Sequence, residues 1–418
     1  MRVLVVGSGG REHALAWRLG RDPEVERVWV APGNAGIPDE DRVPIAAGDL
    51  EALLAWARRH RPDLTVVGPE APLAAGLADR FREAGLSVLG PGREAARLEA
   101  SKAFAKALMR EAGVPTAAFG SFDDEAKALA YLEAHPLPVV VKASGLAAGK
   151  GVLVTDDREE ARAFLRGLFA GRFGEAGRTV VIEAYLEGPE LSVFAVTDGE
   201  RLFLLPPARD YKRAQDGGRG PNTGGMGACS PPADAGDGRL EEVEHGILRP
   251  TLAAMRARGT PFTGVLYAGL KLTPEGPKVL EFNVRLGDPE TQAVLPRLEG
   301  SLARLFASAA AGSLDPGAVR VRPGAALSVV LASGGYPGRY RSGFPIEGLA
   351  EAEAMEGVLV FHAGTARRNG RVVTAGGRVL AVTGLGGTLE EARARAYAAA
   401  ERVRFEGRHL RRDIGEGC

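Results

Sequence analysis

The feature that most constrains the fold is a strict alternation over the first hundred residues. Short apolar runs (RVLVVG, VERVWVAPG, LTVVGPE, LSVLGPG) alternate with amphipathic segments (REHALAWRLGR, DLEALLAWARRHRPD, PLAAGLADRFREAG). Apolar runs of this length are buried strands, and segments with 3.6-residue periodicity are helices. Strands that alternate with helices form a parallel sheet with helices on its faces. In such a sheet the carboxyl ends of the strands carry the ligand-binding loops. Here those loops read GSGGRE, APGNAG, GPEAP and GPGREA.

A chain of 418 residues is too long for one core, so further units follow. The run EAARLEASKAFAKALMREAG reads as one helix, stopped by Gly113 with Pro115 just beyond. Residues 115–190 read as a small α+β region, followed by a long Gly/Pro loop, PPARDYKRAQDGGRGPNTGGMGACSPP. A loop this long within a compact protein is usually functional or disordered. After a helix and the hairpin VLYAGLKLTPEGPKVLEFNVRLG, the tail from 325 reads as short strands around Gly/Pro turns and a last helix. The expected boundaries are 1–101, 102–324 and 325–418. Acidic and basic residues balance at 53 each, so no polyanion-binding surface is expected and nucleic acid is excluded as the main partner. No stretch approaches the ~18 apolar residues of a membrane span, and the N-terminal apolar run is too short for a secretory signal. A cytoplasmic protein is expected. Its two cysteines, Cys229 and Cys418, fit a reducing compartment and give no disulfide or zinc pattern.

Two phosphate-loop patterns fail in informative ways. In VVVKASGLAAGKGVLV, residues 139–154, Gly145 and Gly149-Lys150 are one residue too close for a P-loop. A strand follows where a P-loop needs a helix. The segment is therefore a strand–loop–strand hairpin, able to fold over a triphosphate as a lid, with Gly149, Lys150 and Gly151 at its tip. The N-terminal loop has Gly7 and Gly9 of the dinucleotide fingerprint, but Glu12 stands at the third glycine position. No acid follows the second strand to hold a ribose, which argues against a nicotinamide-dependent oxidoreductase. Backbone amides at a helix N-terminus still suit a phosphate on a small substrate.

Glu281, Asn283 and Arg285 alternate in KVLEFNVRLGDPE, so a strand would place them on one face. Glutamate plus asparagine offers hard oxygen ligands for magnesium shared with nucleotide phosphates. Arg285 beside them could stabilise a developing anion. In VVIEAYLEGPELSV the strand ends at Glu183, and the connector to Glu190 could hold adenine, with Glu190 on the ribose hydroxyls. Only eight of the 53 basic residues are lysine, all between 102 and 278. A compact ammonium suits phosphate where a planar fork does not fit. Lys102, Lys142, Lys150 and Lys212 read as functional, and Lys106, Lys127, Lys271 and Lys278 as helix or hairpin surface.

Taken in order, GSGGREHA, GPEAPL, KASGLAAGKGV, GPNTGGMGA and EFNVRLGDPE resemble the glycinamide ribonucleotide synthetases of the ATP-grasp superfamily, over nearly the whole chain. The resemblance implies an α/β protein with an N-terminal Rossmann-like parallel sheet, an ATP-grasp core with a mobile α+β lid, and a small, mainly-β C-terminal domain. It implies ATP as a substrate, Mg²⁺ or Mn²⁺ as the metal, and glycine and 5-phosphoribosylamine as the small-molecule partners. No membrane or obligate protein partner is implied. Lys102, Lys142 and Lys150 would contact ATP phosphates. Glu183, Ala184, Leu186 and Glu190 would hold adenosine, and Glu281 and Asn283 the metal. Asp210, Lys212, Asn222, Thr223, Gly224 and Gly225 would approach the two small substrates, with Gly9, Gly10 and Glu12 facing phosphoribosylamine. A glycyl phosphate would form first, and Asp210, Asp288 and Glu290 remain alternatives for taking up the amine proton. The rivals are another ATP-grasp ligase with a different acceptor, and an ATP-binding regulator without catalysis.

Overall fold

The computed structural model describes every residue except Ala148 and the side chain of Asp237. Strands Arg2–Gly7, Arg27–Pro32, Leu64–Val67 and Val88–Leu89 form a wholly parallel sheet in the order second, first, third, fourth. Val3 to Val6 are completely buried, as a strand covered by helices on both faces requires. The first strand runs directly into helix Gly10–Leu19, and Gly7 at the bend has φ +131. A side chain there would meet the Glu12 carboxylate, so the turn requires glycine twice over.

The expected single helix after residue 94 is two. Helix Arg97–Ala100 ends at Ser101, whose extended backbone breaks the run. Its hydroxyl then accepts from the Phe104 amide at 3.3 Å and starts helix Lys102–Glu111 afresh. The break sets Lys102 at a helix N-terminus.

Strands Phe119–Phe122, Val139–Ala143, Val152–Thr155 and Val180–Ala184 form a small antiparallel sheet in the order first, fourth, second, third. Helices Glu125–Ala134 and Arg158–Phe169 cover one face, around Ala128, Leu132, Val141, Leu165 and Ile182. Residues 139–155 are the hairpin expected from the sequence.

A second antiparallel sheet, in which Glu190–Thr197 and Gly264–Thr273 lie between Leu202–Leu204 and Gly276–Asn283, carries the acidic strand end. The pairing of Gly264–Thr273 with Gly276–Asn283 slips at Leu280, which has no partner residue. Such a bulge frees backbone groups and re-aims neighbouring side chains.

The C-terminal sheet reaches back across the expected boundary at 325. Its order is Arg209–Asp210, Gly227–Ser230, Ala325–Ala332, Arg378–Gly386, Val358–His362. The Gly/Pro loop is thus partly ordered, with its own hairpin of Arg213–Gln215 and Arg219–Asn222. Helix Leu389–Ala400 lies so close to this sheet that a Cβ at Gly384 would collide with the Ala392 carbonyl. The expectation of two unpaired cysteines is overturned. Cys229 on the second strand of this sheet is bonded to Cys418, with Cα atoms 6.6 Å apart, within the range a disulfide spans. The last residues fold back onto that strand: Tyr211 Oη donates to the Glu416 carbonyl at 2.9 Å and Arg209 to Gly417. Sequence separation hid a pairing that only this return makes. No helix among the described residues is long and apolar enough to cross a membrane.

Candidate active site

The site gathers where the strand end Glu281–Asn283, the lid sheet, the loop 222–225 and the N-terminal loop face one another. Glu281 lies opposite Gly269 and Asn283 opposite Tyr267. The unpaired Leu280 offers its carbonyl to Lys142 Nζ at 3.2 Å. Burial alone would raise the Glu281 pKa, but Lys212, Lys142 and Lys102 outweigh it and hold the carboxylate below its usual range. Lys212 stands 3.9 Å away. Among the described residues no group donates a hydrogen bond to Glu281, so an ionised carboxylate faces the cleft beside the Asn283 amide. That donor pair fits a hard divalent cation.

Arg285 falls just past the strand. Four of its five N–H groups are engaged, with Glu99 at 2.8 Å, Glu70 at 3.2 Å, Asn283 Oδ1 at 3.2 Å and the Leu286 carbonyl at 3.1 Å. Arg285, expected beside the two metal ligands, lies within hydrogen-bond reach of Asn283 and helps to orient it.

Two lysines read as surface are not. Lys106 is 2% exposed and sits 3.0 Å from Glu183, which is also 2% exposed and is held from its other side by Lys142 at 3.0 Å. Lys106 also donates to Thr116 Oγ1 at 2.6 Å. The Glu183 carboxylate, expected on adenosine, is thus spent on two ammonium groups. Lys271 likewise leaves the surface: it lies 3.6 Å from Glu190, which Lys212 approaches to 3.0 Å. Helical periodicity gave a hint of Lys106, which falls on the face with Ala105, Leu108 and Met109, all buried. Lys102 Nζ donates to the Gly145 carbonyl at 3.2 Å, tying its helix to the hairpin loop. The Ala184 amide is taken by the Ala118 carbonyl at 2.9 Å, and Leu186 lies half-buried in the connector before Glu190.

Lys150 and Gly149 are exposed at the hairpin tip, where Gly149 has φ +74, while Gly151 is buried against Ala143 and Ala147. A Cβ at Gly149 would lie 3.9 Å from the Thr223 carbonyl, so the tip reaches the loop containing Asn222, Thr223, Gly224 and Gly225. Thr223 folds that loop by donating from both its amide and its hydroxyl to the Lys212 carbonyl, each at 2.8 Å. Gly225, with φ +111, is wedged against Pro289 and Asp210.

Three carboxylates were alternatives for one role, and their surroundings differ. Asp288 is paired with Arg378 at 3.1 Å and accepts from Gln292 at 2.7 Å. Glu290 accepts from Tyr267 at 2.7 Å and from Ser192 at 3.3 Å. Asp210 alone keeps a buried oxygen, Oδ1, without a partner among the described residues. Burial first, and then neighbouring Glu290, push its pKa well up. In the N-terminal loop, Gly9 and Gly10 abut Asp288 and Gln292. Glu12 accepts from the Gly9 amide at 2.6 Å and from Arg11 at 2.5 Å, so it shapes the loop from beneath. Arg378 and Tyr336, which meet Gly224, were missed: they lie on turns and a strand with no motif around them.

Three family descriptions match consecutive stretches: the N domain of phosphoribosylglycinamide synthetase over residues 1–99, its ATP-grasp (A) domain over 100–291 and its C domain over 326–417. The chain belongs to the phosphoribosylglycinamide synthetase family. Relatives share its whole length. A phosphoribosylamine–glycine ligase of Chlorobaculum tepidum is 49% identical over 421 residues, covering 99% of both chains. One of Rhodopirellula baltica is 48% identical over 423 residues, covering 99% of this chain and 97% of that one. The crystal structure of phosphoribosylamine–glycine ligase from Thermotoga maritima superposes with a TM-score of 0.85 at 38% identity, covering 99% of this chain and all of that one. The biotin carboxylase domain of a Hydrogenobacter thermophilus 2-oxoglutarate carboxylase shares the fold at a TM-score of 0.73 and 17% identity. As a member of an ATP-grasp family, the chain binds ATP with a divalent metal.

Proposed function

We propose that this protein joins glycine to 5-phosphoribosylamine at the expense of ATP, giving glycinamide ribonucleotide, ADP and phosphate, and that it does so in the cytoplasm as a step of purine biosynthesis. The observation that carries the reading is the cluster of Lys102, Lys142 and Lys212 around the ionised Glu281, beneath a hairpin whose tip reaches the loop 222–225. That arrangement suits a triphosphate lying between hairpin and strand, with the small substrates at its γ end.

Glu281 and Asn283 would hold the divalent ion, magnesium or manganese, which when bound neutralises phosphate charge and fixes the nucleotide's orientation. Lys102 and Lys142 would lie along the phosphates, and Lys150 would close over them. Ala184, Leu186 and Glu190 would border the adenosine, while Glu183 would act through Lys142. Glycine's carboxylate would attack the γ-phosphate in line, giving a glycyl phosphate and ADP. The amine of phosphoribosylamine would then attack the acyl carbon and expel phosphate. No protein nucleophile is needed; the work is positioning and charge neutralisation. Arg285 would contribute by fixing Asn283. Lys212 would sit beside the transferred phosphoryl group, and the closed hairpin would keep water from the acyl phosphate. Asp210 would take the amine proton, since Asp288 and Glu290 are already committed to Arg378 and Tyr267. A raised pKa suits a base that must accept from an amine near neutral pH.

The test is ADP release with ATP, glycine and freshly generated phosphoribosylamine, each omitted in turn. Release that requires all three supports the reading. Release that is unchanged without the amine, or that needs another acceptor, overturns it in favour of a different carboxylate ligase.

A further inference from the structure

In the loop 222–225, Thr223 bonds the Lys212 carbonyl, and its hydroxyl also accepts from the Gly225 amide at 2.9 Å. The next peptide is held from outside, by two side chains of the C-terminal region. The Gly224 amide donates to Tyr336 Oη at 3.0 Å. The Gly224 carbonyl accepts from Arg378 Nη1 at 2.6 Å. The same guanidinium donates to the Asp288 carbonyl at 2.5 Å and pairs with the Asp288 carboxylate at 3.1 Å. Both polar groups of one residue are therefore fixed, and one arginine joins the loop to the turn after the Glu281 strand.

The packing around this contact is tight. A Cβ on Gly224 would lie 3.1 Å from Arg378 Cζ, and one on Gly377 would collide with the Tyr336 ring, so both clamp residues fit only because their neighbours lack side chains. Behind the loop, a Cβ on Gly225 would meet Asp210 Oδ1 at 2.7 Å. The guanidinium and Asp210 thus flank successive residues of the loop, Gly224 and Gly225. An arginine suits this place because its planar fork reaches two carbonyls and a carboxylate at once, which an ammonium on a flexible stem does not.

We infer that Arg378 and Tyr336 form a clamp through which the C-terminal sheet positions the Gly224 loop for the two small substrates, while the nucleotide end of the site is built without it. The inference rests on the proposed role of that loop in binding glycine and phosphoribosylamine. Arg378 is a positioning residue: it acts on substrates through Gly224 and Asp288.

The test is steady-state kinetics of Arg378→Ala, Arg378→Lys and Tyr336→Phe with each substrate varied, together with hydrogen exchange of the peptide spanning 222–228. Arg378→Ala is expected to raise KM for glycine and for the amine at least tenfold, with KM for ATP within twofold and faster exchange confined to the loop. Arg378→Lys should recover part of the loss, because it keeps the charge beside Asp288. Tyr336→Phe should raise the same two KM values a few-fold. The clamp is refuted if Arg378→Ala leaves both small-substrate KM values unchanged, or if KM for ATP rises in parallel and the lysine variant gives no recovery. That last outcome marks a residue that merely holds the domain in place. Wild-type ADP release that does not depend on glycine and the amine would refute the functional reading instead, so the two failures are separable.

Discussion

A single buried carboxylate shared by two ammonium groups leaves a surplus positive charge inside the protein. Glu183 between Lys106 and Lys142 is that case, and Lys142 also faces Glu281 across the cleft. Burial lowers the Lys106 pKa to about 8 even beside Glu183. An uncompensated buried charge is costly, and a triphosphate is the ligand that would neutralise it. Lys106→Met removes one cation but leaves Glu183 paired, so it should cost about 3 kcal/mol or less, at the lower edge of what breaking a buried pair costs. Glu183→Gln leaves two ammonium groups facing each other and should cost more. Urea unfolding of the two variants ranks them; a milder Glu183→Gln would contradict the charge argument. Across the cleft, Glu281→Ala should reduce ADP release at least a hundredfold at saturating ATP. Undiminished release would remove this carboxylate from the metal site.

At the scale of elements, what starts and stops a segment decides where side chains land. The Ser101 hydroxyl caps helix Lys102–Glu111 and sets Lys102 toward the hairpin loop. Ser101→Ala should cost about 1 kcal/mol of stability and raise KM for ATP, measurable by thermal unfolding and initial rates. An effect on stability alone would show that Lys102 does not depend on the cap. The hairpin makes the complementary case. Lys150 is exposed at its tip, so Lys150→Ala should lower kcat at least tenfold with KM for ATP within about threefold, as expected of a group that acts only once the lid has closed. Local patterns made these elements legible: the parallel sheet, the hairpin and the Glu281–Asn283 face all follow from short-range periodicity. The helix break at Ser101 was hidden because Ala and Leu on both sides favour helix, whereas a cap depends on backbone geometry. Strand Gly227–Ser230 was read as loop because its partner, Ala325–Ala332, lies about a hundred residues on, and Arg209–Asp210 was read so because it pairs only with that strand. Lys106 and Lys271 were misplaced because a charged residue defaults to the surface unless its partner, here on another element, is known.

At the scale of the molecule, the N-terminal and C-terminal units meet at a seam built on two imidazoles. The His362 amide donates to His13 Nδ1 at 2.7 Å, the His362 carbonyl accepts from Asn34 at 2.8 Å, and His362 Nδ1 lies 3.1 Å from Thr365 Oγ1. Phe361 stands edge-on to both His13 and Trp17. An Nδ1 that accepts a hydrogen bond cannot carry a proton, so folding requires His13 to be neutral there. Burial, then neighbouring His362, lowers the His13 pKa to about 3; burial, then Arg367, lowers that of His362 to about 4. The sign follows from linkage. Below the ordinary imidazole value of about 6.5 the unfolded chain takes up protons that the folded chain refuses, so stability is lost as pH falls from 6.5 toward 4. Above 6.5 the two residues contribute no pH dependence. Between pH 6.5 and 5 the loss should be on the order of 2 kcal/mol for the pair, after allowing for the partial exposure of His13. Carboxylates titrate mainly below this window, so the double variant His13→Gln, His362→Gln should show a flatter stability profile than wild type between pH 7 and 5 by chemical denaturation. Parallel profiles would mean that the seam opens to solvent before the rest of the protein unfolds.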